Sequence, residues 1–297
     1  MTRKEKILLW LKKIPVLWKR IRINLASIKQ DYGAAVTLLL AALSAVALFV
    51  DLTALSVLAK VGIIAGGIAF AILYALIRAV CTNEKVIKLH SGKKIIIRYG
   101  DIFDEDISDG ADRPDNNSSM RCLAIGVNEN FDVIVDNKII SELSLHGQVI
   151  NMLRDKMNIE QTIQEELEGK PCETISNRVR GRSQKYPIGT AIRVDEGSRI
   201  FLFYAITTFD DNNTAICSLD DLVKAVNGLL KFHHDQGNGF PLVLPIIGAG
   251  LAKLGKSEQQ LLEFLVELIR INDNVLTSDV IIVVRPLQRE TVAITTL

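Results

Sequence analysis

The stretch Phe240–Leu254, FPLVLPIIGAGLAKL, holds the residues best placed to do chemistry. A hydrophobic run meets Gly248-Ala249-Gly250 and leads into a helix whose start is signalled by Ser257 with Gln260 three residues later. A strand–glycine–helix turn presents unpaired backbone N–H groups, which suit a phosphate oxygen, and glycine lets a ligand approach closely. The pattern is neither G-x-G-x-x-G nor a P-loop, and a tight turn without any ligand fits the same residues. His146 sits in the polar stretch Ser144-Leu145-His146-Gly147 before a helix. The neighbouring His233 and His234 precede Asp235-Gln236-Gly237, where a surface cap on the helix dipole is expected. H-E-x-x-H and G-x-S-x-G are absent, and Cys81, Cys122, Cys172 and Cys217 form no CxxC pair, so reduced thiols are expected rather than zinc or disulfides.

The elements that would carry these residues alternate. Strand-like runs fall at Val86–His90, Lys94–Tyr99, Cys122–Val127, Thr190–Val194, Ile200–Ile206, Phe240–Ile247 and Val280–Val284. Helical periodicity covers 142–156, 159–168, 219–232 and 258–271, with Ser218 marking one helix start. Such mixing predicts an α/β domain around a buried central sheet. Residues 110–119 read as a polar loop, and residues 170–189, with two prolines, as an irregular insertion.

The chain has 297 residues, 48% of them hydrophobic, and a net charge of +1 that conceals a division. Residues 1–84 carry 11 basic and 4 acidic side chains (+7), and residues 85–297 carry 24 and 30 (−6). The acidic body excludes a broad nucleic-acid surface. The basic head holds two uncharged apolar runs, 33–50 and Val61–Ile77, that read as a membrane-spanning hairpin. Nine Lys/Arg precede the first run and six more lie between Arg78 and Arg98, so both termini are expected in the cytoplasm. Upstream, Ile7, Trp10, Leu11, Ile14, Leu17, Trp18, Ile21, Leu25 and Ile28 share one helical face. That face fits a helix lying among lipid headgroups, or one packed on a partner. Pro15 should kink it. In the second run Gly62-x3-Gly66 and Gly67-x3-Ala71-x3-Ala75 allow close helix approach, either within the hairpin or between copies.

Three further segments carry a resemblance. Tyr99-Gly100-Asp101-Ile102 is similar to the G-D-I segment of the macro domain, the ADP-ribose-binding module. Ile125–Phe131, IGVNENF, falls where that family has N-A-A-N, and Ile247–Leu251, IGAGL, is similar to its diphosphate loop. The resemblance runs from Lys85 to the C-terminus. It implies a three-layer α/β/α fold with a mixed sheet. Asp101 and Ile102 would sit at the adenine, Asn128 would bind the ligand from the N-A-A-N position, and Gly248, Ala249, Gly250 and Leu251 would lie on the diphosphate. Ser144 and Gly147 would supply further phosphate contacts, with His146 between them in the site, and Thr207, Thr208 and Phe209 would wall the distal ribose. The first family Asn is Ile125 here, and Phe131–His146 replaces the glycine-rich run of hydrolytic relatives. A binder without catalytic residues, metal or cofactor is therefore expected.

The basic helix, two spans and divergent macro domain together resemble the membrane effector of one type of Thoeris anti-phage system. The resemblance implies a two-pass protein of the bacterial inner membrane, divided as 1–31, 32–80 and 85–297. It implies sensing of an ADP-ribose derivative, such as a histidine conjugate made by a TIR-domain partner, followed by homo-oligomerisation and disruption of membrane lipids. The alternative is a tethered ADP-ribosyl hydrolase, or a reader of ADP-ribosylated substrates, with Asn128 and His146 orienting water.

Overall fold

The computed structural model describes residues 14–47, 55–104, 120–176, 178, 180–197, 199–209, 215–247 and 255–297. The chain divides into two compact units, residues 1–85 with 287–297, and residues 86–286.

In the first unit residues 14–23 are helical, the helix breaks at Asn24, and α1 (Leu25–Ala47) follows. The expected boundary at 31/32 thus lies inside a continuous helix, and the break falls at Asn24, whose amide Nδ2 turns back onto the Arg20 carbonyl at 2.8 Å. The second apolar helix, α2 (Val57–Cys81), begins at Ser56, whose hydroxyl caps the Ala59 amide. Both helices are long and apolar enough to cross a membrane. Ala71, Ala75 and Ala79 are the buried residues of α2, and a Cβ on Gly67 would rest 3.8 Å from Leu39. The Gly67–Ala71–Ala75 stripe therefore packs the hairpin on itself, whereas Gly62 and Gly66 face open space. Arg78 joins Asp31 at 2.9 Å between the two helices.

The second unit is a mixed α/β fold. Its elements run β1 (Glu84–Lys88, straddling the boundary), β2 (Lys94–Tyr99), β3 (Arg121–Asn128), α3 (Leu145–Arg154) and α4 (Ile159–Leu167). Then come β4 (Glu173–Thr174), β5 (Gln184–Lys185), β6 (Ala191–Glu196), β7 (Arg199–Phe209), β8 (Ala215–Ile216) and α5 (Leu219–Gln236). The series ends with β9 (Leu242–Pro245), α6 (Glu258–Ile271) and β10 (Val280–Val284). The first strand lies two residues earlier than the alternation predicts, and the expected helix at 142 starts at Leu145 because Ser144 caps it. Strand order is β1-β2-β10-β9-β3-β7-β6, with β8 on β7. The β2–β10, β10–β9, β9–β3 and β3–β7 pairings are parallel, and β6–β7 is antiparallel.

Period-two alternation buries both sheet faces. Leu123, Ile125 and Val127 of β3 and Phe201, Phe203 and Ala205 of β7 meet Val149, Ile150, Leu153, Ile163 and Leu167 of α3 and α4. Cys122, Ala124, Ile200, Leu202 and Tyr204 are buried on the opposite side. Because β2, β10, β9, β3 and β7 run the same way, Tyr99, Val284, Pro245, Asn128 and Phe209 end on one edge of the sheet. Ligands in open α/β sheets bind at such an edge.

Candidate functional site

At the end of β2 the Gly100 amide donates to the Val284 carbonyl at 3.0 Å, extending the β2–β10 pairing by one bond. The chain then turns. Asp101 Oδ1 accepts from the Phe103 amide at 3.0 Å, and the Asp104 amide bonds the Asp101 carbonyl at 3.2 Å. Ile102 buries its side chain in the core and anchors this turn, leaving Asp101 exposed at the rim. A carboxylate fixed by its own turn is a pre-organised acceptor for an amino group.

Across the edge, β3 ends with a register shift between Val127 and Asn128. Asn128 is buried, and its Oδ1 accepts from the amides of Asn130 (3.1 Å) and Asp132 (3.3 Å). That bond holds Phe131 in a left-handed conformation, φ 52°. Thr207 on β7 accepts the Glu129 amide at 2.8 Å and is itself buried, so it lies beneath the surface rather than open at it. Phe209 and Thr208 pair with β8, and the Arg178 guanidinium covers the Phe209 ring at 5.4 Å.

That arginine comes from the insertion at 170–189, which folds over the end of β3. Arg178 grips the fully buried Asp132 with two nitrogens, at 2.6 and 3.2 Å, and the Arg182 amide adds a third bond at 2.8 Å. Lys185 reaches Glu129 at 3.1 Å, and Asn130 Nδ2 donates to the Gln184 carbonyl at 2.7 Å. A cavity of about 790 Å³ lies between α4 and the insertion, bordered by Asp132, Gln164 and Arg182. The alternation of β3 and α3 gave no sign of these clamps. An ion pair across 46 positions leaves no local pattern.

The loop replacing the glycine run is itself ordered. Asp136 Oδ1 accepts from the Lys138 and Ile139 amides, and Val135 bridges Ile140. It delivers Ser144 to the start of α3, where the Ser144 hydroxyl donates to the Ser141 carbonyl at 2.6 Å and accepts the Gly147 amide at 3.0 Å. Both groups are thus engaged by the helix cap rather than open to phosphate. Gly147 is required by packing, since a Cβ there would collide with the Ser141 carbonyl. The first-turn amides of Leu145 and His146 are those a helix leaves without an internal acceptor. His146 is buried against Phe203, ring centroids 6.4 Å apart. Burial pushes its pKa down to about 4, opposed by the Asp132 backbone. The imidazole is therefore neutral near pH 7.

Asp101, Ile102, Asn128, Thr207 and Phe209 follow or end strands on the same edge, with Ser144, His146 and Gly147 at the helix after β3. Gly248, Ala249, Gly250 and Leu251 lie outside the described residues, as does the loop at 110–119. His233 departs from expectation. It is buried, with Nε2 2.9 Å from the Phe240 carbonyl, and burial lowers its pKa, so it is not a surface cation on the helix dipole. His234 is the exposed one, bonding the Val275 carbonyl through Nδ1 at 2.7 Å. Among the described residues no cluster of His, Cys, Asp and Glu has the makings of a metal site.

The chain is similar to known proteins in fold and in sequence. Solved macrodomains of Oceanobacillus iheyensis resemble it at 10% identity and a TM-score of 0.40, one with ADP (70% of this chain, 90% of that chain) and a mutant with ADPR (70% and 92%). The Thoeris protein ThsA of Bacillus amyloliquefaciens (strain Y2) is 25% identical over 209 residues, 69% of this chain and 65% of its own length. The chain therefore spans just under two thirds of that relative. A family model described as "Thoeris protein ThsA, Macro domain" matches residues 95–285, well over half of the sequence and running from β2 to the residue after β10. The chain belongs to the ThsA macro-domain family.

Proposed function

We propose that this protein is a membrane-anchored sensor of anti-phage defence, in which the C-terminal edge of the sheet binds an ADP-ribose-derived nucleotide and binding drives the apolar hairpins of several copies together. What supports the reading is that Asp101 follows β2 and Asn128 ends β3 on the same edge of a parallel sheet, with α3 starting at Ser144 after β3, in a chain of this family. Asp101 accepts the adenine amino group, and Gly248–Leu251 holds the diphosphate. The signal would be an amino-acid conjugate such as histidine-ADP-ribose, supplied by a TIR-domain partner. The hairpin is a two-pass anchor in the inner membrane with both termini in the cytoplasm, and the assembled hairpins disrupt the bilayer. The physics is linkage: the nucleotide must bind the assembled state better than the resting one.

A binder is favoured over a hydrolase by what the two water-orienting candidates do. The carboxamide oxygen of Asn128 is engaged by the Asn130 and Asp132 amides, and His146 is buried against Phe203 with its basicity lowered by that burial, which makes it a weak proton acceptor. Asp101→Ala removes one charge-assisted hydrogen bond, about 1.5–3 kcal/mol, and should weaken ADP-ribose binding roughly ten- to a hundredfold. Gly250→Glu should abolish binding by placing a carboxylate against the diphosphate. Calorimetry on the full chain checks both. Unchanged affinity in both variants rejects the site, and steady turnover of an ADP-ribosyl ester rejects the sensor.

A further inference from the structure

The last eleven residues belong to the helical unit, not to the sheet that precedes them. They are well packed: Val292, Ala293 and Ile294 are buried, and two short 3-10 turns, Pro286–Glu290 and Ile294–Thr296, shape the segment. Each apolar helix is held at its base. Arg289 Nη2 donates to the Val80 and Thr82 carbonyls at 3.0 and 3.2 Å, at the C-terminal end of α2 where a cation suits the free carbonyls. Thr295 donates to Asn24 Oδ1, the residue at which the helical chain breaks before α1, and Asn24 is itself buried. Glu290 pairs with Lys19 at 3.0 Å on the helical stretch before that break.

The segment's other end is tied covalently to β10, and β10 is hydrogen-bonded to the turn that carries Asp101. Val284 closes β10 and accepts the amide of Gly100, the neighbour of Asp101. Only Arg285 and Pro286 separate Val284 from the segment, and the proline ring stiffens that link. A rearrangement of the Gly100–Asp101 turn on binding therefore acts on a strand end five residues before Arg289, the first residue of the grip on the helices.

We propose that residues 287–297 are the coupling element through which nucleotide bound at the sheet edge changes the arrangement of α1 and α2. The proposal rests on the sensor reading above and adds the device by which it is regulated. Coupling of this kind is reciprocal, so assembly must also alter nucleotide affinity, and loosening the grip must weaken both effects together.

The test uses the full chain in vesicles of phosphatidylethanolamine and phosphatidylglycerol, titrated with ADP-ribose and with its histidine conjugate. Nucleotide binding is followed by calorimetry and assembly by chemical cross-linking. In dilute detergent, where copies stay apart, Arg289→Ala and Thr295→Val should bind nucleotide within about threefold of the parent protein, and in vesicles their affinity should weaken together with assembly. Their half-maximal cross-linking should shift on the order of tenfold in nucleotide concentration, or become independent of nucleotide. Thr295→Ser, which keeps the hydroxyl, should behave as the parent. Should Arg289→Ala fail to fold, Thr295→Val keeps the test decisive, because it exchanges a hydroxyl for a methyl group of similar shape. Parent-like cross-linking in variants that bind nucleotide overturns the coupling role and leaves the sensor standing. Absence of nucleotide binding by the parent protein overturns both.

Discussion

Asp132 and His146 show how single residues near the sheet edge are tuned by burial. The Asp132 carboxylate is fully buried and lives on its bonds to Arg178 and the Arg182 amide. Removing one member of such a pair leaves an uncompensated charge. His146 has a titration consequence. Its folded pKa of about 4 lies below the ordinary 6.5, so between those values the unfolded chain binds a proton that the native chain refuses. Stability should fall as pH drops from about 6.5 towards 4, by roughly 3 kcal/mol from this residue alone. Burial of His233 acts in the same direction. Thermal unfolding followed across that window should show a shallower slope for His146→Gln, with the His233 contribution remaining. An unchanged slope would mean that His146 titrates normally in the folded chain.

At the scale of elements, the sheet and its helices were legible because burial on two faces imposes period-two strands and a helical stripe within a few residues. The Lys94–Tyr99 and Val280–Val284 strands and the 258–271 helix fall where the pattern puts them, and Ser218 and Ser257 form the capping boxes their spacing announces. What escaped is non-local. The Arg178–Asp132 clamp, the burial of His233 and the docking of residues 287–297 depend on contacts between distant segments, and no local periodicity encodes them. Of the candidate site, Asp101 and Asn128 could be placed from strand ends. The engagement of Ser144 and Gly147 in a cap was hidden because a cap and a phosphate site use the same amides and hydroxyls. The small-residue stripes allowed two partners, and the hairpin takes one of them with Gly67, Ala71 and Ala75. Gly62 and Gly66 remain on the open side. Gly66→Leu should therefore leave the fold intact, since a Cβ there meets nothing within 4 Å, and reduce assembly of copies in lipid. Cross-linking of that variant at parent level would remove the glycines from the interface.

For the whole molecule, the division of charge matches the division of structure. A basic, apolar head of +7 precedes an acidic α/β body of −6, and the chain crosses between the two compact units twice, at Lys85–Val86 and at Pro286–Leu287. The second crossing places the C-terminus with the helices, so truncating the chain at its head would also strip the last eleven residues of their packing partners. The intact protein is the proper material for binding work. Calorimetric titration of the full chain with ADP-ribose, its histidine conjugate and NAD is the most direct measurement. The account predicts saturable binding at one site per chain for ADP-ribose compounds, tightest for the conjugate and weakened by Asp101→Ala. No heat of binding from any of the three nucleotides would contradict it.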